Sequence, residues 1–209
     1  MRVAALGFLS IGIILLMQVV LPIVSFQLWA IRQEYNNRIL ISPSKSGEQV
    51  LGISVQNNNN FPTFISNLTR QSKPNYSQFL LSVPRLKIEG KAVYVDSNDL
   101  SQGLIQLPGS AMPGEKGNVF ISGHSALSKF VAGETAVFAK LTDLKKGDEI
   151  FVEAAGSRFV YKVVGIKIVD PSDLSVIPAP DEQGRYISLM TCVPPGLNFR
   201  RLVVLGKMV

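Results

Sequence analysis

The chain has 209 residues, enough for one compact domain with appendages, and carries 46% hydrophobic residues, a mean hydropathy of +0.25 and a net charge of +6. One cysteine excludes an internal disulfide framework, and one histidine with one cysteine is too few for a typical structural zinc site. Six Lys/Arg stand against two Glu before residue 78 and fifteen against thirteen acids after it, so the basic bias is no nucleic-acid stripe, and no aromatic interleaving accompanies it.

The first element is apolar. Val3 to Ile31 reads VAALGFLSIGIILLMQVVLPIVSFQLWAI, without a charge. About 20 apolar helical residues cross a bilayer core, so residues 1–32 are expected to form a single-pass membrane anchor. Pro22 is tolerable in such a helix, and Trp29 suits the interface. A cleaved signal peptide would carry a shorter apolar region, about 7–15 residues, and an A-x-A-like site. No clear site of that kind is present. Arg2 flanks one side, and Arg32, Arg38 and Lys45 the other, so counting cations alone would leave the remaining chain in the cytoplasm.

Residues 33–77 read as a polar linker, with SPSKSG, QNNNNFP and SKPNYS as loop composition. The short apolar pieces LGISV and FPTFI could pack on a domain or form a brief helix. The texture changes from residue 78 to 209. FLLSVPRLKI, KAVYV, GLIQL, NVFISG, DEIFVEA, RFVYKVVGIKIV, YISLM and RLVVLG are short β-branched and aromatic runs punctuated by Gly, Pro, Asn and Asp. About eight strands at that spacing predict a mostly antiparallel sandwich or closed barrel. Ser125 to Leu144 has helix-like spacing and predicts one or two short helices, and KKGD at Lys145–Asp148 a tight turn.

Two residues stand where chemistry is expected. His124 follows a strand-like run and Gly123, and Cys192 closes the run YISLMT. A thiol attacks as its thiolate, which a nearby cation favours, and acyl transfer needs donors aimed at the developing oxyanion. Arg200 and Arg201 open the last run, which returns past Cys192 if the two strands pair through VPPGLNF. On texture alone, a buried cysteine, a surface histidine and solvated arginines remain open alternatives.

SLMTC followed by P-x-G and R-L-V-V resembles the signature region of sortases, the cysteine transpeptidases of bacterial cell surfaces. Their common form is T-L-x-T-C with an arginine at the start of the next strand; here Ser188 takes the place of the leading threonine. LPGSAMPGEKGNVFISGHS resembles the stretch ending in the active-site Gly-His, and KLTDLKKGDEIFV and YKVVGIKIVDPSDLSVI the segments between His and Cys. The resemblance implies a mainly β fold, a closed sortase-like barrel of about eight strands with one or two short helices, behind an N-terminal transmembrane helix.

It also implies roles. Cys192 attacks the peptide carbonyl of an LPxTG-like sorting signal and forms a thioacyl-enzyme. His124 protonates the leaving amine, and Arg201 holds substrate backbone or oxyanion. Strand alternation allows only one of Arg200 and Arg201 to face Cys192, and R-L-V-V favours Arg201. Thr191 is assigned a supporting part in substrate binding, although alternation turns its side chain away from the Cys192 face. The loop Pro171–Arg185 is expected to shape the sorting-signal pocket.

The implied partners are proteins bearing sorting signals, an amine acceptor such as a cell-wall precursor or a pilin lysine, and the membrane, with the catalytic domain extracytoplasmic. No cofactor, metal or nucleic acid is expected; Glu115, Glu134, Asp170, Asp173, Asp181 and Glu182 lack ligand-loop spacing. The alternative is a sortase-fold surface protein acting as a hydrolase or a non-enzymatic binding module.

Overall fold

The computed structural model describes residues 11–18, 20–21, 24–28, 31–32, 53–58, 61–66, 74–125, 136–194 and 199–209. The chain divides into two compact units, Met1–Arg38 and Ile39–Val209. In the first, the described residues are helical and their apolar side chains exposed, Leu16 at 62% and Leu28 at 64%. Among the described residues, no helix is long and apolar enough to cross a membrane.

The second unit opens with β1 (Ile53–Asn58) and β2 (Phe61–Ser66), an antiparallel pair with Ile53 opposite Ser66. The segment expected to be an irregular linker therefore contains two strands. They are built on the two apolar pieces read from the sequence, which pair with each other and form no helix.

Eight strands then close a barrel. They are β3 (Gln78–Val83), β4 (Ile88–Tyr94), β5 (Leu104–Gln106), β6 (Gly117–Ser122), β7 (Glu149–Ala154), β8 (Ser157–Val169), β9 (Arg185–Val193) and β10 (Arg200–Met208). Around the barrel the order is β10-β8-β7-β3-β4-β5-β6-β9. The pairings are antiparallel except β4–β5 and β6–β9, and closure leaves no free sheet edge.

The barrel strands arise from the eight apolar runs. FLLSVPRLKI is cut in two because Pro84 cannot donate to a ladder. The chain makes a 3-10 turn over Pro84–Leu86, and Lys87 at φ 57 redirects it into β4. KKGD forms the expected tight turn: Asp148 N donates to Lys145 O at 3.1 Å, Lys145 N to Asp148 Oδ2 at 2.8 Å, and Gly147 has φ 91.

Alternation gives each strand an inner and an outer face. Val119, Ile121, Ile187, Leu189, Leu202 and Val204 share the inner face and are fully buried. Each such side chain contributes about 1.5–3 kcal/mol relative to exposure. The expected helical insert after Ser125 falls largely on residues 126–135, outside the described residues. The part that follows makes a turn over residues 137–140 and a 3-10 helix at Leu141–Asp143.

Candidate active site

Three neighbouring strands carry the residues singled out above. Cys192 on β9 and Arg201 on β10 are direct partners in the antiparallel ladder. On the other side, β6 runs parallel to β9 with Ser122 beside Met190. Gly123 N continues that ladder by donating to Met190 O at 3.1 Å. His124 lies two residues beyond the end of β6, and its imidazole hydrogen-bonds with the Leu100 backbone. Adjacent strands lie about 4.8 Å apart, so Cys192 and Arg201 are close neighbours across the β9–β10 ladder, and His124 follows the strand on the other side of β9.

Arg201 is 1% exposed; its Nη1 donates to the Arg200 carbonyl at 3.2 Å. Arg200 points the other way, exposed, with its Nε 3.9 Å from Asp170 Oδ1. An exposed pair of that length contributes little.

Burial dominates the electrostatics of the site. It pushes the Cys192 thiol above its ordinary value, and the Arg201 charge pulls back less strongly. Burial also lowers the His124 imidazole, against a smaller opposing hydrogen bond with the Leu100 backbone. The resting pair at neutral pH is therefore a neutral thiol beside a neutral imidazole. Arg201 supplies the fixed positive charge, toward which a thiolate or an oxyanion is drawn.

Thr191 lies on the inner face, 2% exposed, and its hydroxyl donates to Gly123 O at 2.8 Å. The residue before the cysteine is thus tied to the residue before the histidine. This bond fixes the segment before His124 against the segment before Cys192, and the Thr191 side chain is buried. Gly123 is required by packing: a Cβ there would sit 2.5 Å from Leu104 Cδ2 and 2.8 Å from Phe138 Cδ2.

An apolar cluster lies on the same outer face as Cys192. Met190 is two residues before Cys192, and Val203 stands opposite Met190 as Arg201 stands opposite Cys192. With Leu107, Phe120 and Ile177 they form a buried cluster. Leu174 and Val176, from the β8–β9 connection, pack against it, and so does Ile53 of β1. Leu174 and Val176 of the β8–β9 connection, only partly buried, leave apolar surface over this cluster, and Ile53 of β1 packs there too. These cluster residues were not singled out from the sequence. The legible signal was that NVFIS and YISLM are apolar without alternation, as strands covered on both faces are.

The family model for the sortase domain matches residues 81–209. The chain belongs to the sortase family. Sortase D of Bacillus subtilis is 31% identical over 134 residues, which are 62% of this chain and 63% of that protein. Sortase SrtE1 of Streptomyces coelicolor is 39% identical over 108 residues, 48% of this chain and 29% of that protein. The chain therefore spans less than two thirds of the length of these relatives. Among solved structures, sortase A of Corynebacterium diphtheriae is 32% identical with a TM-score of 0.56, covering 67% of this chain and 63% of that one. The sortase domain begins within β3, so the β1–β2 pair lies outside the matched region.

Proposed function

We propose that the protein is a membrane-anchored cysteine transpeptidase that cleaves an LPxTG-like sorting signal and transfers the released acyl group to an amine at the cell surface. The observation that carries this is Cys192 paired with Arg201 across the β9–β10 ladder, with His124 just beyond the end of the strand on the other side of β9 and an apolar cluster on the Cys192 face. Cys192 Sγ attacks the scissile carbonyl as thiolate, and the Arg201 guanidinium stabilises the oxyanion. His124 as imidazolium gives its proton to the leaving amine, and a thioester to Cys192 remains. The incoming amine then attacks that thioester. His124 takes the amine's proton, the new amide forms, and the thiolate departs. The partly exposed apolar surface of Leu174 and Val176 receives the apolar side chain of the signal.

The charge-free run Val3–Ile31, helical where described and exposing its apolar side chains, supports a single-pass anchor at residues 1–32. Sortase family membership supports an extracytoplasmic domain over the cation count. Protease added to intact cells should then remove the domain, whereas protection until the cells are broken would place it inside.

The activity is tested on the full chain in detergent with fluorogenic LPxTG-like peptides, with and without an added amine. Ligated product that disappears in Cys192→Ala is expected. Cleavage unaffected by that substitution would contradict the proposal.

A further inference from the structure

Asn118 is a buried polar residue beside the apolar cluster. It lies on β6, two residues before Phe120 and so on the same face, and is 5% exposed. Its Nδ2 donates to Ile177 O at 2.9 Å and to Ser188 Oγ at 2.9 Å. Ser188 is fully buried on β9, two residues below Met190. One amide therefore joins three pieces: β6, β9 and the β8–β9 connection. Its Oδ1 is buried without a hydrogen-bond partner among the described residues. An unpaired buried acceptor is costly, so the position holds a group whose value lies in its two donors.

The joined segment covers the apolar cluster on the Cys192 face. Leu174, Val176 and Ile177 supply apolar surface, and the segment's own hydrogen bonds are local: Ser175 N donates to Asp173 Oδ1 at 2.9 Å and Ile177 N to Leu174 O at 3.1 Å. Apolar packing holds such a segment down without fixing where along the sheet it sits, because it is non-directional. A hydrogen bond fixes position.

We propose that Asn118 is a positioning residue for the sorting signal. Through its amide it clamps the Leu174–Ile177 segment to β6 and β9 and so places the apolar surface of Leu174 and Val176 that takes the signal's side chain. This rests on the transpeptidase reading for its consequence, but the clamp itself can be read without any substrate.

The test uses full-length wild type, Asn118→Ala and Ser188→Ala in detergent. Amide hydrogen exchange, peptide KM and kcat, and alkylation of Cys192 by iodoacetamide are measured on the same samples. In Asn118→Ala, protection across residues 174–178 should fall at least about tenfold while β9 and β10 keep theirs. KM should rise about tenfold, with kcat and the alkylation rate within about twofold, since the loss lies in ground-state binding. Ser188→Ala removes one of the two bonds and should shift KM the same way by about two- to threefold, which decides the matter if Asn118→Ala does not fold. Unchanged protection at 174–178, or loss spread over the whole barrel, would overturn the clamp. A released segment with unchanged KM, or a fall in kcat matched by slower alkylation, would overturn the positioning role. Wild type that processes no peptide would overturn the transpeptidase reading, and the exchange data would still judge the clamp.

Discussion

Arg201 stands directly across the β9–β10 ladder from Cys192 and is the bulkiest of the fully buried side chains among the described residues. A guanidinium is costly to bury unless its charge is answered, and the partner at this register is the thiol that becomes anionic during catalysis. Arg201→Ala should lower kcat/KM by about 10²–10³-fold. Arg201→Lys should still cost about tenfold or more, because an ammonium lacks the planar donor fork. Arg200→Ala, on the exposed face, should leave steady-state kinetics within about twofold. Kinetics on the three variants read this directly, and a damaging Arg200→Ala with a tolerated Arg201→Ala would reverse the assignment.

The pH dependence follows from the two shifts. Burial raises Cys192 above 9.0, so the thiol stays protonated at neutral pH, and alkylation by iodoacetamide should climb with a midpoint above 9.0. Burial lowers His124 below 6.5, so the imidazole gains its proton only in acid. If the reactive form is thiolate with imidazolium, kcat/KM should rise through a limb below 6.5, stay flat, and fall through a limb above 9.0. That form is a small fraction of the enzyme on the plateau, since both shifts favour the neutral pair. Arg201→Ala should move the alkylation midpoint higher, since the removed charge pulls it down. A midpoint well below neutrality would show an ion pair at rest and contradict this reading.

Thr191→Val keeps the shape of the side chain and deletes the bond to Gly123 O. The carbonyl left unpaired should cost about 1–3 kcal/mol of stability. The hold between the segments before His124 and Cys192 loosens, so kcat should fall about three- to tenfold with KM little changed. A rise in KM at constant kcat would instead support the substrate-binding role.

Much of this was legible. The apolar runs became the barrel strands, with FLLSVPRLKI divided between β3 and the start of β4, and alternation together with the R-L-V-V match separated Arg201 from Arg200. Other features depend on contacts between segments distant in sequence. The β1–β2 pair hides in an Asn-, Ser- and Pro-rich stretch whose composition reads as loop, and Ser66 exchanges hydrogen bonds with Asn98, 32 residues away. Asn118 is a single polar letter in an apolar strand. Its meaning depends on Ile177 and Ser188, which only the closed barrel brings to it.

Ile53 packs against the apolar cluster on the Cys192 face. Under the proposed function, the signal's apolar side chain competes with it for that surface. Ile53→Asp in the full chain should weaken that packing and lower peptide KM by about two- to fivefold, with kcat and melting temperature nearly unchanged. An unchanged KM would show that β1 does not obstruct that surface.

The most direct test of the central claim is the mass of the intact full chain during turnover of a processed sorting peptide. The account predicts a transient adduct equal to the peptide's acyl fragment, absent in Cys192→Ala and discharged as ligated product when an amine is added. Peptide consumed with no adduct at any time under rapid quench, or an adduct that survives in Cys192→Ala, would contradict it.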